Sequence, residues 1–226
     1  MTFITSHWFM IRLDLLMISH TLWVLLLSNK NRFHFGLGVV LLTWLVLLHF
    51  GLSSKSIFPE TISGVLFLTI IFTAVAAVGI VLFAIPTTQK ILLGLTQQQL
   101  LLLQGIRVFY GARFLMYASV GALPLVFGIV DGWTHIAAGF LALMAAYSFS
   151  TNSHAIRRAW FANIFGLAEI LLVASTLALF ILQDVTPDGL VMYAAFLPAP
   201  LLLWFHFISI YRLITDKDEP SVVSPE

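Results

Sequence analysis

The 226-residue chain contains no cysteine. That removes disulfides, thiolate nucleophiles, iron–sulfur clusters and thiolate zinc sites together. Charge is nearly as scarce. Asp, Glu, Lys and Arg make up 9% of the residues, against roughly 25% in a soluble domain. No basic patch or nucleic-acid motif is present, which excludes a nucleic-acid partner. GxSxG, HExxH, a phosphate-binding P-loop and GxGxxG are also missing, so no catalytic residue stands out and enzyme chemistry is not indicated. No cofactor and no metal site is expected from these patterns.

What the chain has in excess is apolar surface. Hydrophobic residues reach 60% and mean hydropathy is +1.02, where a soluble domain holds about 45–50% apolar residues. A soluble core of this size cannot bury the surplus, so the lipid bilayer is the expected surroundings. The plasma membrane is the expected location, meaning the inner membrane if the source is bacterial.

Crossing the hydrocarbon layer takes about 20 residues. Seven segments suffice: Trp8–Ser28, His34–Leu52, Ile62–Ile85, Gln99–Ala122, Gly132–Ser150, Trp160–Leu182 and Gly189–Arg212. The first lacks a basic leader and a small-residue cleavage site, so it reads as a retained helix rather than a signal peptide. Lys30, Arg32, Lys90, Arg157, Arg158, Arg212 and Lys217 collect on one side. The other side holds Lys55 and Arg12 with Glu60, Asp131, Asp184 and Asp188. The bias of basic residues towards the cytoplasm puts the N-terminus outside and the C-terminus inside. The expected fold class is an all-α membrane protein: a seven-transmembrane-helix bundle over residues 1–214, then a short disordered acidic tail over 215–226.

Ionisable groups at membrane depth are costly and tend to be paired and functional. Arg107 and His20 lie roughly 12 Å, Glu169 about 14 Å and His206 about 9 Å from the inner ends of their segments. With Gln104, on the same face as Arg107, they form a polar layer in the inner half. Arg107 and Glu169 are expected to pair, since each is otherwise an unmatched charge. His206, with a free pKa near neutrality, suits a relay. The leading expectation is therefore a protein that moves or senses a small solute or proton through Gln104, Arg107, Glu169, His206 and His20.

Other polar residues receive structural readings. Arg113 shares a face with Tyr110 and Tyr117, where it can stack on a ring or reach the interface. Arg12 and Asp14 are expected to be solvated or mutually compensating, His49 and His135 interfacial, and Asn163 peripheral. Ala138, Ala142 and Ala146 form a packing seam, whereas Gly128 and Gly132 lie at a loop boundary. Pro198 and Pro200 predict a kink. The competing class is a haem-binding or redox subunit, with His20 and His206 as one ligand pair and His49 and His135 as the other. A third class is an assembly protein without a site of its own. Protein partners are not legible, and the last segment has no lysine for a retinal Schiff base.

The run Gln104-Gly105-Ile106-Arg107, followed by Gly111, Leu123-Pro124 and Gly139, resembles a group of small uncharacterised bacterial multi-pass membrane proteins. Asn163, Gly166 and Glu169 in NIFGLAE resemble that group's asparagine–glycine–acid segment, and His206 its last-helix histidine. The likeness spans roughly the C-terminal half. It departs at His135, where the group's pattern has an aspartate. The resemblance implies a membrane-embedded fold and no particular activity.

Overall fold

A computed structural model describes residues 7–28, 33–54, 61–151, 154–182, 184–185 and 190–215. The described chain is helical apart from one antiparallel pair, β1 (Ile62–Ser63) with β2 (Asp184–Val185), in which Ile62 faces Val185. The first helices are α1 (His7–Ser28), α2 (Phe33–Ser53) and α3 (Gly64–Ala84), with Ser63 capping the Leu66 amide of α3. A short α4 (Pro86–Leu93) leads into α5 (Gln97–Gln104) and α6 (Arg107–Ser119). Next come α7 (Leu125–Thr151) and α8 (Ala155–Ala168), a π-helical turn (Glu169–Val173), and α9 (Ala174–Phe180). Finally α10 (Leu190–Phe196) and α11 (Pro198–Thr215) close the bundle.

Among the described residues, six stretches are long and apolar enough to cross a membrane: Trp8–Leu27, Gly36–Ser53, Gly64–Ala84, Leu125–Thr151, Ala155–Phe180 and Val191–Thr215. The expected fourth segment is not one helix. Thr96 and Gln99 form a reciprocal cap that starts α5. At Gly105 and Ile106 the hydrogen bonds tighten to three-residue spacing, from Val108 N to Gly105 O (3.2 Å) and from Phe109 N to Ile106 O (3.0 Å). At the break α7 lies close against the chain, since a Cβ on Gly105 would stand 2.9 Å from Leu143 Cγ.

The fifth segment begins earlier than expected. Leu125 to Gly132, ahead of or at the start of the expected segment, form the first turns of α7, which follow Pro124 directly. Pro supplies a fixed φ at a helix start and no donor is lost there. Asp131 is thereby carried into the bundle, where it is 3% exposed, rather than sitting in water at a helix end. Gly128 and Gly132 likewise lie inside α7. A Cβ on Gly132 would stand 3.0 Å from Gly111 O, so α6 and α7 meet backbone to backbone. Ala142, Ala145 and Ala146 form a second close seam with Leu101, Ala159 and Ala162. The expected kink in the last segment is present as a break at Leu197, just before Pro198.

The π turn gives the Ala174 amide to the carbonyl of Glu169, five residues back. One extra residue is accommodated there without ending the helix. At the centre of the bundle, α11 packs on α3, α5, α8 and α10.

Burial is inverted relative to a soluble protein. Phe50, Ile80 and Phe180 are 67%, 69% and 77% exposed, while Asp14, Arg107, Asn163 and Glu169 are at most 2% exposed. Such a distribution suits an apolar solvent outside. Of the basic and acidic residues used to orient the chain, Lys30, Arg32, Lys55, Glu60, Asp188 and Lys217 lie outside the described residues. So does the expected tail from residue 216 onward, whereas Thr215 still belongs to α11.

Candidate functional site

The site grows from the α5–α6 break. Arg107 is the first residue of α6 and is fully buried. Its Nη2 forms an ion pair with Glu169 Oε2, and its Nη1 donates to Gly166 O at 3.1 Å. The same Nη1 lies 3.2 Å from His206 Nε2. A guanidinium only donates, so Nε2 of His206 must accept and Nδ1 carries the proton. That proton points to Asn163 Oδ1 at 3.0 Å. The Asn163 amide donates onward to Ser209 Oγ at 2.7 Å and to Ala159 O at 2.9 Å. Gln97 Nε2 also donates to Ser209 Oγ. Its residue lies near the bundle end where Arg212 bonds Leu95 O.

Glu169 faces the other way as well. Its Oε1 contacts His135 Nδ1 and accepts from Thr134 Oγ1 at 3.3 Å. One turn earlier on α7, Asp131 Oδ1 lies 3.6 Å from His135 Nδ1. A line of side chains therefore runs from Asp131 through His135, Glu169, Arg107, His206, Asn163 and Ser209 to Gln97.

Gly166 makes this approach possible. A Cβ there would stand 2.5 Å from His206 Cε1, 2.7 Å from His206 Nε2 and 2.8 Å from Arg107 Nη1. Only a residue without a side chain leaves both groups room.

Next to the line is a cavity of about 80 Å³, bordered by Phe67, Tyr110, Phe114, Asp131, His135 and Leu202. A buried water needs about 10–15 Å³ of such space and drug-sized ligands need about 300–1,000 Å³, so the cavity suits a few waters or one small ion. The His135 ring is held edge-on against Phe114, with centroids 5.4 Å apart.

Of the residues expected to form the inner layer, Arg107, Glu169 and His206 are brought together. Gln104 and His20 are not part of the line. Gln104 Nε2 donates to Leu202 O at 2.9 Å, and His20 Nε2 lies 2.9 Å from Leu102 O, just before the break. His135, expected at an interface, sits against Glu169. Asn163, expected to be peripheral, holds His206, because α11 crosses α8 on the face carrying Asn163 and Gly166. His49 Nδ1 lies 2.8 Å from Tyr193 OH. Both ring nitrogens of His206 are engaged within the protein.

Asp14 is not solvated. It is fully buried and accepts from Tyr110 OH at 2.7 Å, while its Oδ2 has no hydrogen-bond partner among the described residues. Tyr110→Phe removes a donor from a buried carboxyl group that is already short of them. The expected loss is about 1–3 kcal/mol of stability, visible as a lower unfolding temperature in detergent. Arg113 takes the stacking role, with its guanidinium 3.3 Å from the centroid of Phe9 and 3.7 Å from that of Tyr117.

Two sequence signals for this site were available. Asp131 and His135 are four apart and share a helix face, and Gly166 lies three residues from both Asn163 and Glu169, about 60° from each.

The family model described as a domain of unknown function (DUF8737) matches residues 64–214. That range takes in α3 to α11 and every member of the polar line. No curated protein matches the chain. No solved structure matches it either.

Proposed function

The chain belongs to the DUF8737 family, and from the geometry of its polar line we propose that it moves or senses a proton, or a solute no larger than a small ion, through the residues from Asp131 to Gln97. The observation that carries this reading is the position of Glu169, whose two oxygens contact Arg107 and His135 separately. A carboxylate between a fixed cation and a titratable ring has two partners to choose between. A proton arriving through His135 neutralises Glu169 and weakens its hold on Arg107. The guanidinium then withdraws towards Gly166 O, leaving Nε2 of His206 free to take that proton from Glu169, which returns to its carboxylate form and to Arg107. Asn163 sets the tautomer that makes this nitrogen the acceptor.

In this reading the chain crosses the plasma membrane seven times, with the N-terminus outside. Together α5 and α6 form the fourth crossing. Residues 97–119 extend about 34 Å at helical rise, enough for a hydrocarbon layer of about 30 Å. Lys90, Arg157, Arg158 and Arg212 mark the cytoplasmic end, and Gln97 is the inner mouth of the line. The resemblance to small bacterial membrane proteins supports an inner-membrane setting.

The test is proton flux into liposomes holding the purified protein, read with a pH-sensitive dye under an imposed potential. Glu169→Gln is expected to abolish flux with elution and helix content unchanged, and Asn163→Ala to slow it. Equal flux in wild type and both variants sinks the reading. Loss of folded protein in both Glu169→Gln and Arg107→Gln makes the pair a structural lock instead.

A further inference from the structure

We infer that Asp131, His135 and Glu169 form a binding site for a divalent transition-metal cation. Each offers one ligand atom, and these atoms all lie within 4.8 Å of one another. The donor set is one imidazole nitrogen and two carboxylate oxygens, which suits a cation of borderline softness such as zinc(II).

A second observation points to a ligand. Asp131 is 3% exposed, borders the cavity, and its Oδ1 has no hydrogen-bond partner among the described residues. His135 Nδ1 lies 3.6 Å from it. Ligand atoms about 2.1 Å from a tetrahedral ion are about 3.4 Å apart. Asp131 and His135 already meet that spacing, and a small rotation of Glu169 brings its Oε1 into line. The ion then takes the place of the direct His135–Glu169 contact. Three protein ligands leave a fourth position, and the cavity beside them has room for the water or solute that would fill it.

Among the described residues Arg107 is the cation that meets the triad, and it holds Oε2 of Glu169 rather than Oε1. Two carboxylates against one guanidinium leave the cluster one negative charge when His135 is neutral, the form that binds metal. Thr134 Oγ1, 3.3 Å from Oε1, adds a neutral oxygen behind the ligand. This inference goes beyond the proton reading and does not depend on it: the triad binds its ion whether or not protons pass His206.

The experiment titrates metal-stripped, detergent-solubilised full-length protein with cobalt(II) alone, following its ligand-field absorption, and then displaces it with zinc(II). The expected result is saturable binding of one ion per chain, displaced by zinc. Asp131→Asn and His135→Gln are each expected to weaken it by more than about tenfold. Asn163→Ala is expected to leave cation binding intact while slowing proton flux, which separates the two readings. No saturable binding by wild type overturns the inference, as does unchanged affinity in both ligand variants. If neither ligand variant folds, pulsed electron paramagnetic resonance of manganese(II) bound to wild type decides. Coupling to one imidazole nitrogen supports the site, and its absence overturns it.

Discussion

Glu169→Ala is expected to destabilise the bundle by about 3–5 kcal/mol, the cost of stranding one member of a buried ion pair. Arg107 is fully buried and its Nε has no hydrogen-bond partner among the described residues. Without Glu169 its charge is met by the Gly166 carbonyl and a neutral imidazole. A total stability of roughly 5–15 kcal/mol makes such a loss decisive for accumulation of folded protein. The double variant Arg107→Met with Glu169→Leu is expected to recover most of it, because no charge is left buried and the volume is kept. Unfolding temperatures of wild type, Arg107→Met, Glu169→Leu and the double variant in one detergent close the cycle. A double variant that simply adds the two single losses would show that the groups do not act as a pair. The cycle also explains why proton flux is better tested with Glu169→Gln, which keeps hydrogen-bonding capacity for Arg107.

Gly166→Ala carries the second largest expected effect for its size. One methyl group is placed between His206 and Arg107, at 2.5–2.8 Å from atoms of both. Neither ring nor guanidinium can retreat without breaking the contact that orients it. The expected cost is about 1–3 kcal/mol from overpacking, and flux is expected to fall to the level of Glu169→Gln. Gly36→Ala on α2 is the control, since a Cβ there meets nothing within 4 Å. That change is expected to be neutral or to stabilise the helix by up to about 1 kcal/mol. If the two alanines behave alike in both stability and flux, the close approach at Gly166 has no functional weight.

Composition and apolar run length carry the helical, membrane-compatible character of the chain, because those quantities do not depend on tertiary detail. The pairing of Arg107 with Glu169 was legible for a similar reason: depth along two helices is simple arithmetic, and a buried charge needs a partner. What was not legible came from local geometry. Pro124 starts a helix instead of ending a loop, and that choice moved Asp131 and His135 from the rim to the interior. The role of Asn163 depends on how α11 crosses α8, which no spacing within α8 reveals. Arg107 reaches three groups at once from the first residue of α6, directly after the chain tightens at Gly105 and Ile106, and sequence spacing does not show that break. Asp14 looked solvated beside Arg12, yet the side of α1 that carries it faces Tyr110 of α6.

The π turn after Glu169 has a consequence for chain length. It acts as a phase shifter: five residues per hydrogen-bonded loop where four are usual, so the chain before and after it is out of step by one residue. Keeping all five of its residues in an ordinary helix would rotate one half by about 100° against the other. Either Leu177 and Ala178 leave the core, or Glu169 turns away from Arg107. The polar line and the apolar packing of α9 are therefore satisfied together because the turn absorbs an insertion, and a chain one residue shorter here would keep both on an ordinary helix.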